Sequence, residues 1–367
     1  MKQFLLLLAF LPFCSVVAQN KADQVKHIRQ VYAEAKQMAA DNGKNGKALL
    51  DMHILVNDGA VVDNDFELDD VTDLVYYFNK TKTHPETSFL DKAKCYLIIE
   101  NWTSHGHTRY REFLFDPDKG TLLFVFMKSE TDGGYIVETR YYYDAKGNVV
   151  DQKLKSGLEG HELTDQAPGS IDWDSAKSEQ ESAAHFLKVF QGLITADKSI
   201  LGVDEKHGKA TPKAERLAFI RKTYAEAKKW IEDDKKAELP RNIKVTIHDQ
   251  TMENYAPETD EMNFYFSDMD NMYSGLTKHC YIIEDHRSSM YFDNYSEYLF
   301  DPNSHELIFS YSRSSEEGET REWRYYFDEN RKCIEAKSNA EAIDYGHSDK
   351  ISVIQYIRVF EELLKND

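Results

Sequence analysis

The stretches CYLIIE (residues 95–100), REFLFDPDKGTLLFVF (111–126) and ETRYYYDAKGNVV (138–150) return later as CYIIE (280–284), SEYLFDPNSHELIFSY (296–311) and EWRYYFDENRKCI (322–334). Asp116-Pro117 and Asp301-Pro302 lie 185 positions apart (301 − 116), as do Cys95 and Cys280, whereas Arg140 and Arg324 lie 184 apart, so a single deletion accounts for the slip. The chain reads as a tandem duplication. Each copy carries the same aromatic-rich block of short apolar runs punctuated by turn residues, the pattern of an antiparallel meander. Its strands are expected at 94–102, 109–115, 121–128, 135–144 and 148–154, and the turns at Asp116-Pro117-Asp118-Lys119-Gly120 and Asp144-Ala145-Lys146-Gly147-Asn148. In the second copy both turn glycines are gone while the flanking strands persist, which suggests that sheet packing holds the turn geometry.

Outward from this block, an amphipathic helix precedes each copy. Val25, Ile28, Tyr32, Ala35 and Met38 form an apolar stripe, repeated 192 positions on by Leu217, Ile220, Tyr224, Ala227 and Trp230. Both helices contain Tyr-Ala-Glu-Ala-Lys, read here as good helix-forming sequence whose Tyr and second Ala face the sheet. Thr211-Pro212 gives the second helix a start signal, a capping hydroxyl followed by proline. A strand at 52–57 is matched at 243–248. Acidic, poorly patterned stretches at 58–73 and 249–260 follow and read as solvated loops, because they lack the spaced ligands and glycine of a calcium loop. A second helix closes each copy, with Ala183, Leu187, Phe190 and Ile194 answered by Val353, Ile357, Phe360 and Leu364, and with caps expected from Asp174 or Ser175 and from Ser348.

This order gives the expected fold. It is α+β, a tandem duplication of a two-layer domain, each an antiparallel meander of five to seven strands with an N-terminal and a C-terminal helix packed on one face. The boundaries are 1–18 for a signal peptide, 22–195 for the first repeat, 196–211 for a linker and 212–367 for the second repeat. At the level of architecture alone, such units resemble secreted inhibitor and binding modules built from two repeats. No motif carries residues across from them.

Length and composition agree: 367 residues exceed one usual domain, and 22 Tyr with 20 Phe favour strands. The net charge of −19 disfavours nucleic acid and anionic membrane as partners. Met1-Lys2, the apolar run from Phe4 to Phe13 and the small residues to Ala18 read as an export signal, too short to span a bilayer. Bulky Phe13 argues against a lipid anchor at Cys14. The expected location is therefore outside the cytoplasm, periplasmic in a Gram-negative bacterium or secreted. Cys95 and Cys280, equivalent positions, read as small buried hydrophobes and not as a disulfide framework.

Motifs of catalysis are absent: there is no G-x-S-x-G, no H-E-x-x-H and no phosphate-binding glycine loop. No cofactor is implied. His105 and His107 share a strand face and offer two metal ligands, too few for a site. The polar residues kept in both copies are more informative. Strand alternation groups Glu138, Arg140 and Tyr142, matched by Glu322, Arg324 and Tyr326, and groups Tyr110 and Glu112, matched by Tyr295 and Glu297. Gathered on one sheet face, they form either a binding surface for a protein or glycan or a set of water-facing cross-strand ion pairs. The expected function is a noncatalytic, exported binding or interaction module of the cell envelope. The alternative is an exported hydrolase of glycan or peptide that uses paired carboxylates.

Overall fold

The computed structural model describes residues 4–44, 49–63, 66–80, 93–104, 107–116, 118–130, 133–167, 176–194, 211–236, 241–249, 258–271, 275–289, 292–316, 318–339, 356–357, 359–360 and 363. In chain order the elements are α1 (Phe4–Asp41), β1 (Leu50–Asp63), β2 (Phe66–Lys80), β3 (Ala93–Ser104), β4 (His107–Phe115), β5 (Leu122–Glu130), β6 (Tyr135–Tyr143), β7 (Val149–Leu158), β8 (Thr164–Gln166) and α2 (Ala176–Ile194). Then follow α3 (Lys213–Asp234), β9 (Arg241–Asp249), β10 (Glu258–Asn271), β11 (Gly275–Ser288), β12 (Phe292–Phe300), β13 (Leu307–Glu316), β14 (Glu319–Phe327) and β15 (Cys333–Ser338). All fifteen strands form one antiparallel sheet in the order β15-β14-β13-β12-β11-β10-β9-β1-β2-β3-β4-β5-β6-β7-β8. The architecture is α+β and dominated by sheet.

The two meanders are not separate sheets, because β1 pairs with β9 from Leu50↔Asp249 to Asp58↔Arg241. Registers recur on either side of this central pair. Ile98 faces Phe113 as Ile283 faces Tyr298, Phe126 faces Arg140 as Tyr311 faces Arg324, and Ile54 faces Leu74 as Val245 faces Met262. Bulges recur too, between Tyr77 and Phe78 and between Tyr265 and Phe266. The turns keep one hydrogen-bond scheme: Gly120 N–H donates to the Asp116 carbonyl at 2.8 Å, and His305 N–H to that of Asp301 at 2.9 Å. Gly120 and Gly147 have φ of 67° and 83°, while His305 and Arg331 adopt 56° and 63° without glycine's freedom. A left-handed non-glycine residue costs about 1 kcal/mol, which the flanking ladder offsets.

The helices occupy both faces, which corrects the expectation of one. Val25, Ile28 and Ala35 of α1 pack with Leu97, Leu114, Phe124 and Tyr142. Phe186, Val189 and Phe190 of α2 pack with Ile98, Phe113, Val125 and Tyr141, the neighbours that point the other way. In the second half α3 covers Ile282, Leu299 and Phe309, while Val359 and Phe360 join the α2 side. The reason is legible in the strands: Tyr96-Leu97-Ile98 and Phe113-Leu114-Phe115 are buried at every position, and a sheet apolar on both faces needs a helix on each. The α2-side core runs unbroken across β1 and β9 into the second half.

The acidic stretch expected as a loop at 58–73 is strand wherever it is described, and of 249–260 Asp249 ends β9 and 258–260 open β10, the residues between lying outside the described ones. β1 and β2 pair from Asp51↔Tyr77 to Asp63↔Phe66, and β10 begins at Glu258. Thr211 does not cap α3; its hydroxyl donates to Glu329 at 2.5 Å, and Pro212 occupies the capping position. The linker at 196–211, apart from Thr211, and the caps expected from Asp174, Ser175 and Ser348 lie outside the described residues. Cys95 and Cys280 are buried free thiols.

Candidate functional site

The sequence placed Tyr110, Glu112, Glu138, Arg140 and Tyr142 on one face, and the fold puts α1 on that same face, so they divide into a covered and an open group. Glu112 is covered, with 4% of its surface exposed. It accepts hydrogen bonds from the phenols of Tyr32 and Tyr110, and from Lys36 Nζ at 2.9 Å. Glu297 repeats the arrangement: it accepts from Tyr224, from Tyr295 at 2.6 Å and from Lys228 at 2.9 Å. Tyr32 and Lys36 are the first and last residues of the shared Tyr-Ala-Glu-Ala-Lys, one helical turn apart, as are Tyr224 and Lys228. The motif is thus a polar tie from helix to sheet. Sequence reasoning missed its lysine, although a Tyr and a Lys at i and i+4, present in both halves together with a glutamate in each, were the available signal. Burial, and then the bond to the carboxylate, push the Tyr32 and Tyr224 phenols well above their ordinary range, so they stay protonated donors.

The halves differ in one partner. Lys228 also reaches Glu284 at 2.9 Å, where the first half has Ile99 opposite Glu112. Burial raises the Glu284 carboxyl, but Lys228 more than reverses this and leaves it below the usual range. Tyr142 and Tyr326 are buried core residues, packed on Phe124 and Phe309 at ring separations of 5.0 Å.

The open group is Glu138 with Arg140 and Glu322 with Arg324. Each arginine donates through Nη2 to the glutamate two residues earlier at 2.9 Å. Each guanidinium also lies 5.0 Å from the ring centre of its cross-strand neighbour, Phe126 or Tyr311. The next ring in each row is Tyr110, 6.1 Å from Phe126, or Tyr295, 6.3 Å from Tyr311. Both rows are partly exposed. The arginine side chains keep 30% and 41% of their surface open to solvent.

A polar tie also holds α2 on the opposite face. Arg111 pairs with both oxygens of Glu100 and reaches Glu179 and Ser182 of the helix at 3.4 and 3.2 Å.

His105 lies outside the described residues, and His107 opens β4, exposed. Among the described residues, the cluster able to hold a metal ion is a different one: Asp51, His53 and His248, whose ligand atoms lie within 4.8 Å of one another. Asp51 and His53 alternate onto one face of β1, and His248 sits directly across from Asp51 on β9. His248 Nδ1 is 2.6 Å and His53 Nε2 3.6 Å from Asp51 Oδ1, while Asn42 donates to Asp51 Oδ2 at 2.8 Å. Burial raises the Asp51 carboxyl, and the bonds from His248 and His53 more than offset it, leaving it at about 2. No local pattern signals the cluster, since His248 lies 197 positions after Asp51.

No family model matches the chain, and no curated protein or solved structure shows significant similarity to it.

Proposed function

We propose that the chain is two copies of one α+β unit, joined edge to edge through β1 and β9, and that it acts outside the cytoplasm as a noncatalytic binding module. The repeated registers, bulges and turns support the duplication, with Ile54 facing its own counterpart Val245 at the centre of the joining pair. Such self-pairing of equivalent residues is what a twofold relation between the copies produces.

One observation carries the binding reading: the same row of glutamate, arginine and two rings stands partly open on both halves. A guanidinium held over a ring and bonded to a carboxylate is pre-organised, and both arginines keep part of their surface open to solvent. The row is nearly neutral, so it suits a polar, weakly charged ligand such as a neutral glycan or an extended peptide. Two such rows on one rigid sheet add avidity for a repeating ligand.

The hydrolase alternative is less well supported. Glu112 and Glu297 are buried and their oxygens already accept from protein donors, and Glu138 and Glu322 are held by arginine. A general acid needs a proton to give and an open path to the leaving group.

The test is an array of neutral and acidic oligosaccharides and short peptides probed with the chain and with Arg140→Ala/Arg324→Ala. One ligand class bound by the wild type and lost in the variant supports the reading. No ligand bound, or equal binding by the variant, overturns it, and turnover of any array member would restore the hydrolase. For export, the mass of the protein recovered from the periplasm or medium is expected to start at Gln19; retention of the leader inside the cell would contradict it. Among the described residues no helix is long and apolar enough to cross a membrane.

A further inference from the structure

We infer that Asp51, His53 and His248 form a zinc-class divalent metal site across the joint between the two halves. The donor set is two imidazoles and one carboxylate, which suits zinc and leaves a fourth position for water or a ligand group. Ligands 2.0–2.1 Å from a tetrahedral ion stand about 3.3 Å apart. Asp51 Oδ1 to His53 Nε2, at 3.6 Å, is within about 0.3 Å of that spacing, the 2.6 Å hydrogen bond to His248 Nδ1 must open by about 0.7 Å, and all the ligand atoms lie within 4.8 Å of one another. The carboxylate is rigid where a site needs it to be: Asp51 is buried, and Asn42, just past α1, holds its second oxygen as an outer-shell partner. The imidazole of His53 is 44% exposed, which gives an ion access from solvent. Asp73, across from Leu55 on β2, places a further carboxyl group on the neighbouring strand.

Symmetry sharpens the case. Under the proposed duplication, which relates residues 52–57 to 243–248, Asp51 corresponds to Asn242 and His248 to Asn57. Those two asparagines also pair across the joint, Asn57 Nδ2 donating to Asn242 Oδ1 at 3.0 Å. The joint therefore needs only an amide pair to close at one end. At the other end the same two positions carry an aspartate and a histidine, with a second histidine at His53, where the corresponding residue is Lys244.

That comparison supplies a variant expected to fold. Asp51→Asn/His248→Asn copies the amide pair of the opposite end while removing two of the three ligands. The full chain, stripped with chelator, is titrated with ZnCl2 by calorimetry, and the bound metal is counted by native mass spectrometry. The wild type is expected to take up one zinc with a Kd of roughly 1 µM or tighter, and the double variant to bind at least about 100-fold more weakly with the same circular dichroism spectrum. His53→Ala alone should weaken binding, whereas His279→Ala/His305→Ala, removing a stacked pair elsewhere, should leave it unchanged. No uptake by the wild type at 100-fold excess overturns the inference, as does undiminished uptake by Asp51→Asn/His248→Asn or loss on removing His279 and His305. Ligand binding by the Arg140 and Arg324 rows should persist in chelator, which separates failure of this inference from failure of the binding reading.

Discussion

Replacing Glu112 by glutamine changes a buried carboxylate to a neutral amide of nearly the same shape, so the cost reports the helix tie and little else. A hydrogen bond to a charged group contributes about 1.5–3 kcal/mol against about 0.5–1.5 for a neutral one, so the two phenols lose roughly 1 kcal/mol each. Lys36 is more than a third exposed, and its ion pair adds at most about 0.5 kcal/mol after solvent screening. The new amide N–H also opposes at least one of these donors, and the total comes to about 3 kcal/mol. Glu297→Gln costs less, about 2 kcal/mol, because Lys228 keeps Glu284 as a partner at 2.9 Å. The tie holds α1 to the sheet, so the loss should appear as local opening of that helix. Hydrogen exchange of the amides from Val25 to Ala39 should accelerate about a hundredfold in Glu112→Gln, and those of α3 about thirtyfold in Glu297→Gln, at 1.4 kcal/mol per factor of ten. Glu138→Gln, which touches only a surface pair, should change neither. Acceleration of less than about threefold in Glu112→Gln, or a larger effect from Glu297→Gln, would show that these carboxylates do not hold the helices.

Other expectations follow from burial and charge. Burial pushes the thiols of Cys95 and Cys280 far above their ordinary range, while Cys333 is exposed. A disulfide reagent at neutral pH should therefore label Cys333 in the native mature protein and reach the other two only in denaturant; native labelling of Cys95 would contradict the core packing. Glu284 has a depressed folded-state pKa, so its contribution to stability is present above its unfolded value of about 4.3 and is lost as pH falls through the folded one. The destabilisation caused by Glu284→Gln should accordingly be largest near pH 6 and shrink below pH 4, and a cost independent of pH would show that Lys228 does not set that carboxyl's charge.

Much of the fold was legible because two similar stretches of sequence could be read against each other. The strands β3 to β6 and both turns fall within two residues of their expected places, and β7 starts on time but runs four residues further; Asp116 and Asp144 organise their turns through their own side chains, as Asp301 and Asp328 do. β2 and β10 were lost among acidic residues. Leu74, Tyr76 and Phe78, and Met262, Phe264 and Phe266, alternate as buried strand residues should, but the carboxylates before them imitate a loop. The second helical layer was hidden by treating alternation as the rule: a strand such as Phe113-Leu114-Phe115 buries consecutive residues only when both faces are covered. That error also misjudged the site. It left Glu112 facing a ligand or water, when its surroundings are Tyr32, Tyr110 and Lys36. The joint between β1 and β9 could not be read at all, because pairing at nearly 200 residues' separation leaves no local pattern, and with it went the cluster of Asp51, His53 and His248.

Under the proposed binding function, the polar residues common to both halves divide by role, with the glutamates under the helices structural and the arginine rows in contact with ligand. The most direct measurement is the affinity of the best array ligand for wild type, Glu112→Gln/Glu297→Gln and Arg140→Ala/Arg324→Ala at a temperature where all three are folded. The glutamate pair is expected to keep its affinity within about threefold despite reduced stability, and the arginine pair to lose at least about tenfold with its stability intact. The reverse pattern, with binding or turnover abolished by Glu112→Gln/Glu297→Gln and untouched by the arginine variants, would contradict this division of roles.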